Sequence, residues 1–379
     1  MNKARYIMIG GFLGAGKSTS ILRFAERLTA AGKRVGLITN DQGAGLVDTA
    51  LMRAGGFPVE EIAGGCFCCR FGSLKDAADR LSTETRPDVF LAEPVGSCTD
   101  LIATVSYPLR RLYGDAFDIT PLSVLVDPIR ALRVLELEEG ARRLSPKVCY
   151  VYRKQLEEAD IIIINKIDLL TPQRQELLRA GLAEQYPEAT VYACEVRNDR
   201  GLDAWYEHVL TRSGRWADSM SIDYQTYGEG EALLGWLNGT VQLQAEPPTD
   251  GNTLLAEFAA HVQQHLIAAD GEVAHLKMTL APGDGSGELG VINLVRNDAQ
   301  PEATHTLLDP IDAGELIVNL RAEAAPEILE AAFQAALAYC AKSRSGVEFH
   351  LDHLEHFRPG APVPVHRDPS ASQPGAISC

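Results

Sequence analysis

No run of about 18 consecutive apolar residues occurs anywhere in the sequence, so a helix spanning a bilayer is excluded on length alone. Basic residues are in deficit: 35 Lys and Arg stand against 51 Asp and Glu, a formal net charge of -16. Most of such a surface would repel a nucleic-acid backbone, so no nucleic-acid partner is expected. The opening MNKARYIMIGGFLGAGKST has an apolar run shorter than a secretory leader needs and passes directly into a glycine-rich motif. A cytoplasmic protein with no membrane association is therefore expected. There is no internal repeat. Cysteine is sparse and unevenly placed: of eight, Cys66, Cys68 and Cys69 crowd together, while Cys98, Cys149, Cys194, Cys340 and Cys379 are scattered without a pairing pattern. In a reducing compartment such a distribution points to metal or thiol chemistry rather than a disulfide framework.

With 379 residues, 46% of them hydrophobic, the chain is long enough for two cores. Its first half alternates short β-branched runs with amphipathic stretches: Tyr6–Ile9, a helix over Lys17–Ala31, then strands at Arg34–Thr39, Val89–Leu91, Leu122–Val126, Ile161–Ile164 and Thr190–Ala193. The strand at 161–164 is apolar throughout, as central strands covered on both faces are. The fold class that follows is α/β, a mostly parallel sheet with helices on both faces, over residues 1–212. Residues 213–230 lose the period and read as a linker. Residues 231–358 follow a β-α-β-β-β-α-β order, which predicts a smaller α+β domain with helices on one face of an antiparallel sheet. From Pro359 to the end, Pro- and Ser-rich composition predicts a disordered tail.

Gly11-Phe-Leu-Gly14-Ala15-Gly16-Lys17-Ser18 fits G-x-x-x-x-G-K-[ST] between a predicted strand and a predicted helix. Glycines there let successive backbone N–H groups turn toward phosphate oxygens, and the helix N-terminus, continuing into Thr19, adds partial positive charge. Lys17 is placed to reach the β and γ phosphates, and Ser18 to offer a hydroxyl to Mg²⁺. Asn165-Lys166-Ile167-Asp168 leaves a strand at its carboxyl end, where ligands of open α/β sheets bind. The Asp168 carboxylate can accept from both the ring N–H and the exocyclic amine of guanine, which favours GTP over ATP. Glu93, at the tip of the 89–91 strand and three residues before Gly96, is a candidate Mg²⁺ residue near the γ phosphate. Asp41, after the second strand, is a candidate to bind the same metal or to position the attacking water. Asp127 also stands at a strand tip, where capping the helix after Pro128 is the preferred reading.

Gly64-Gly65-Cys66-Phe67-Cys68-Cys69 places three thiols within four residues, enough to grip Zn²⁺ or Cu(I) with the fourth coordination position open. An open site suits transfer better than a structural role, since no second C-x-x-C closes the tetrahedron. Buried core cysteines or a redox pair are the competing readings. His350, His353 and His356 form a second candidate metal locus, but the alternation Val347, Phe349, Leu351 reads as a strand and favours surface histidines.

Taken with Asn40-Asp41-Gln42-Gly43 and Glu93-Pro94-Val95-Gly96, these motifs occur in the order found in the CobW-like GTPases, relatives of the HypB and UreG metallochaperones, and the first 210 or so residues resemble that family. The resemblance implies that Cys66, Cys68 and Cys69 bind a transition metal, most often zinc, and that GTP binding or hydrolysis gates its delivery to a client protein. It also implies a homodimer, since this class of P-loop protein often works as one. Thr39 stands where many relatives carry Glu, and Ala44 where another can occur, so those extra carboxylates are missing here. The loop Cys194–Gly201 replaces a guanine loop that usually contains Ser-Ala. Two further functions remain open at this stage: a GTP-dependent chaperone for a cofactor-bearing enzyme, for example one using a corrinoid, and a P-loop kinase or ligase.

Overall fold

A computed structural model describes residues 3–43, 47–138, 144–214 and 218–370; Ala44 and Cys379 lie outside the described residues. The chain divides into two compact units. The first is built on eight strands: β1 (Ala4–Gly11), β2 (Val35–Asn40), β3 (Val59–Ile62), β4 (Val89–Glu93), β5 (Phe117–Ile119), β6 (Ser123–Val126), β7 (Ile161–Ile164) and β8 (Thr190–Ala193). Their order is β3-β2-β4-β1-β6-β7-β8, with β5 beside β1, and every pairing is parallel. Parallel neighbours require crossovers, so all the carboxyl ends gather on one edge. That edge receives every nucleotide motif read from the sequence.

Local chemistry explains the boundaries. The four isoleucines of β7 are each 1% exposed or less, because β-branched residues pack well in a doubly covered strand. Proline occupies the first helical turn at Pro128, Pro146 and Pro172, where its missing N–H costs nothing. Asp127 caps its helix by accepting from Arg130 N at 3.1 Å, as the sequence suggests.

The second unit contains the six-stranded sheet β12-β11-β10-β13-β9-β14, formed by β9 (Leu234–Thr249), β10 (Glu272–Pro282), β11 (Gly290–Leu294), β12 (Glu302–His305), β13 (Ile311–Glu323) and β14 (Val347–Phe357). All its pairings are antiparallel. Helices Gly251–Ala268 and Pro326–Ser343 pack into a single core with the sheet, through residues such as Phe258, Phe333, Val241 and Leu320. The sequence pattern anticipates five of these strands and misses β12, whose residues Glu-Ala-Thr-His are half-buried to exposed at the sheet edge and carry no apolar alternation.

Two segments take structure where composition predicts none. The helix Tyr224–Leu233 starts within the residues assigned to the linker and runs three residues past them. Residues 361–370, assigned to the tail, belong to the first unit and are hydrogen-bonded along it. A third belongs where sequence order would not put it: the helix Val47–Ala54, following β2, sits in the second unit, its first N–H donated to Asn319 Oδ1 at 3.0 Å and Asp48 ion-paired with Lys277. Among the described residues, no helix is long and apolar enough to cross a membrane.

Candidate functional site

The loop after β1 has the geometry of a phosphate cradle. Gly11, Gly14 and Gly16 take φ of 128°, 78° and 97°, which side-chain-bearing residues rarely adopt. A Cβ on Gly11 would lie 2.3 Å from the Leu125 carbonyl oxygen, so that position is also sterically restricted to glycine. Lys17 and Ser18 open the next helix and are buried. The Ser18 hydroxyl donates to Glu93 Oε1 at 3.0 Å, and Lys17 Nζ stands 4.0 Å from that same oxygen and 3.5 Å from the Phe12 carbonyl. A cation, a hydroxyl and a carboxylate thus converge where the sequence places a Mg²⁺-bearing triphosphate. Gln155 donates to the carbonyls of Gly96 and Cys98, pinning the loop that follows Glu93.

Asn165 and Lys166 act on the cradle itself. Asn165 Nδ2 donates to the Ala15 carbonyl at 2.9 Å, while its Oδ1 accepts from Val196 N at 3.2 Å. One buried amide therefore ties the phosphate loop to the loop Cys194–Gly201. Lys166, left-handed at φ 54°, donates to the Gly14 carbonyl at 2.8 Å and pairs with Asp127 at 3.1 Å. Asp168 is exposed on the one-turn helix Ile167–Leu169. Asp41 is half-buried, and its Oδ1 accepts from the next amide, Gln42 N, at 2.6 Å. The structure thus draws Lys17, Ser18 and Glu93 together, with Asp41 at the tip of the neighbouring strand β2.

The thiol cluster forms in the loop after β3. Gly64 and Gly65 take φ of 75° and 149°, and the N–H groups of Cys69 and Arg70 both return to the Cys66 carbonyl, winding the loop into the helix Phe71–Glu84. The sulfurs of Cys66 and Cys68 are 2.8 Å apart, Cys66 and Cys69 3.2 Å, Cys68 and Cys69 3.7 Å. Among the described residues these three make the one group of three or more metal-capable side chains whose ligand atoms all lie within 4.8 Å. Sulfurs so spaced can share one ion at thiolate bond lengths of about 2.3 Å, so the residues fit a soft metal. Hydrogen bonding among the sulfurs of Cys66, Cys68, Cys69 and Cys98 pushes the Cys66 thiol down and those of Cys68 and Cys69 up, so the group deprotonates as a unit. The three histidines of β14 do not gather: His350 lies 3.6 Å from Asp352, and His356 3.2 Å from Glu330 on the helix Pro326–Ser343.

Sequence reasoning misses three contributors. Asn40 donates to the carbonyls of Ile62 at 2.9 Å and Gly65 at 2.7 Å, joining the tip of β2 to the thiol loop. Arg130 donates to the Leu13 carbonyl at 3.0 Å and lies over the Phe12 ring, bracing the cradle from outside. Cys98, read as one of the scattered cysteines, is buried and bonds to Cys66 from the loop following Glu93. A strand-tip position signals Asn40; nothing local in the sequence signals the other two.

Residues 5–193 match the family model of the CobW/HypB/UreG nucleotide-binding domain. The chain is 31% identical over 175 residues to the zinc chaperone YeiR of Escherichia coli, covering 45% of this chain and 49% of that one. It is likewise 31% identical over 184 residues to the zinc chaperone CobW of a Sinorhizobium species, covering 43% and 51%. The chain spans about half the length of the curated relatives it matches. Among solved structures, the zinc-bound YjiA GTPase of Escherichia coli overlaps 88% of this chain and 99% of its own at 16% identity, with a TM-score of 0.38, too loose an overlap to bear on function. With the cradle, the Asn165–Asp168 loop and the Cys66–Cys69 loop in the expected order on one sheet edge, the chain belongs, through residues 5–193, to the CobW/HypB/UreG family of P-loop GTPases.

Proposed function

We propose that the protein is a GTP-hydrolysing zinc chaperone that holds the ion at Cys66, Cys68 and Cys69 and couples nucleotide state to its delivery to a client metalloprotein. The observation that carries this reading is the gathering of three sulfurs within 3.7 Å of one another in a loop bonded, through Asn40, to the tip of a strand on the nucleotide edge. Two of the curated relatives are zinc chaperones by name, which supports zinc over Cu(I) as the cargo.

In the proposed reaction the backbone N–H groups of residues 11–16 and the Lys17 ammonium stabilise charge developing on the β and γ phosphates. Ser18 and Glu93, with Asp41, hold Mg²⁺, which when bound neutralises phosphate charge. Asp168 selects guanine, and Asn165 and Lys166 keep the cradle in shape beneath it. Glu93 continues into the loop carrying Cys98, and Asn40 bridges to Gly65, so two short chains of contacts run from the phosphate side to the thiols. Free thiols at the cluster suit a reducing compartment, and we assign the activity to the cytoplasm, with a homodimer as the working assembly.

The test is transfer of zinc from the loaded protein to a chelator-free apo-metalloenzyme, with GTP and with a non-hydrolysable analogue. Transfer that requires the three thiols and accelerates on hydrolysis supports the reading. Function retained in a variant with all three cysteines changed to Ser instead favours the chaperone of a cofactor-bearing enzyme.

A further inference from the structure

Residues 361–370 cross the thiol loop. Val363 N donates to Cys69 Sγ at 3.3 Å, and Val365 N donates to the Cys68 carbonyl at 2.9 Å. The imidazole of His366 stands edge-on to the Phe71 ring, with centroids 4.9 Å apart. Beyond it the segment is anchored: Asp368 N donates to the Ala103 carbonyl at 2.9 Å, the Asp368 carboxylate pairs with Arg111 at 2.9 Å, and the Pro369 carbonyl accepts from Ser219 N at 2.8 Å. Arg367 Nε donates to Asp100 Oδ2 at 2.8 Å, an oxygen that also takes the Tyr224 hydroxyl at 2.6 Å, while Arg367 Nη2 reaches the Met220 carbonyl at 3.0 Å.

The sequence explains this conformation. In Pro362-Val363-Pro364-Val365 the two valines carry the only backbone N–H groups, and Val363, preceding a proline, is held to extended geometry. Two prolines in four residues also reduce the entropy that ordering the segment costs. Apolar burial in the strap is confined to Pro362, since Val363 and Val365 are 75% and 57% exposed. Its attachment is polar and concentrated at 367–369, with the cysteine-contacting end lighter. Asp100, 1% exposed and left-handed at φ 64°, closes the loop that starts at Glu93. A buried carboxylate deprived of its guanidinium partner is costly, so the Arg367 contact is the strap's strongest attachment.

We propose that residues 361–369 are a strap that covers the thiol cluster and sets how fast the bound ion leaves, latched by Arg367 on Asp100. The strap shields Cys69, the half-exposed thiol of the three, and its N–H at Val363 bonds that sulfur directly. Because the latch residue ends the loop running from Glu93, unlatching and the nucleotide site share one segment of chain. The covering of Cys69 stands independently of what the thiols bind; the control of ion release rests on the zinc-chaperone reading.

Alkylation of Cys69 in the reduced, metal-free full chain, timed with N-ethylmaleimide and read by peptide mass spectrometry, tests the cover. Arg367→Ala and truncation after Gly360 are each expected to raise the rate about tenfold, the order expected for losing a charge-assisted anchor. Rates within twofold of wild type in an Arg367→Ala variant with an unchanged melting profile overturn the proposal, and this variant keeps the test alive if the truncated chain fails to fold. Zinc dissociation into excess chelator is expected to accelerate by a similar factor; faster alkylation with unchanged dissociation overturns the strap's control of release. Faster alkylation in a protein that binds no zinc at all confirms the cover and refutes the zinc reading instead.

Discussion

Replacing Asn165 by Ala tests whether the Asn165–Asp168 motif works through the phosphate cradle as well as through the base. The change removes the bond from Nδ2 to the Ala15 carbonyl at 2.9 Å and the bond from Val196 N to Oδ1 at 3.2 Å. Both partners sit in nearly water-free surroundings, Ala15 and Val196 each being 1% exposed. A buried group left without its partner costs about 1–3 kcal/mol, so the pair amounts to roughly 2–6 kcal/mol. If half of this appears as the cost of reshaping the cradle around phosphate, GTP binding weakens by about 5- to 150-fold. Calorimetric titration with GTP and Mg²⁺ reads the change, and zinc binding without nucleotide serves as the control, expected to be unchanged. A dissociation constant within twofold of wild type refutes the claim that this amide shapes the site.

Other consequences follow from the same geometry. Lys17→Ala should abolish GTP turnover; hydrolysis at the wild-type rate removes Lys17 from the reaction. Gly11→Ala places a Cβ against the Leu125 carbonyl and should cost a few kcal/mol of stability together with nucleotide binding, read by thermal unfolding with and without GTP. Burial, reinforced by Asp100, pushes Glu158 up to about 8, against the N–H of Ile102 and the hydroxyl of Thr99. Between its unfolded pKa near 4.5 and about 8 the folded chain keeps a proton that the unfolded chain has lost, so this group's contribution to stability falls as pH rises through that window and levels off above it. Urea unfolding of wild type and Glu158→Gln from pH 5 to 9 should show the steeper decline in wild type; parallel curves contradict it.

The core and the cradle are legible in the sequence for the same reason: both depend on local pattern. The Ile161–Ile164 run, the glycines at 11, 14 and 16, and the clustered thiols carry their meaning within a few residues. What escapes is set by distant contacts. Asn40 stands in a strand-tip motif whose link to Gly65 only the fold shows, and Arg130 looks like an ordinary polar residue until the fold brings it to Leu13. The segment after Pro359 has the composition of a tail, yet Arg367 finds Asp100, 267 residues earlier in the chain, and composition carries no signal for such a pair. β12 and the helix Val47–Ala54 are likewise settled by what they lie beside: a sheet edge in one case, Asn319 and Lys277 in the other.

Zinc affinity measured by competition with a chromogenic chelator, in GTP with Mg²⁺, in GDP with Mg²⁺ and without nucleotide, addresses the coupling most directly. Stoichiometric zinc whose affinity changes with the nucleotide, and which disappears when Cys66, Cys68 and Cys69 are all changed to Ser, is the predicted result. Zinc bound with the same affinity in all three states, or no stoichiometric zinc in any of them, contradicts the account.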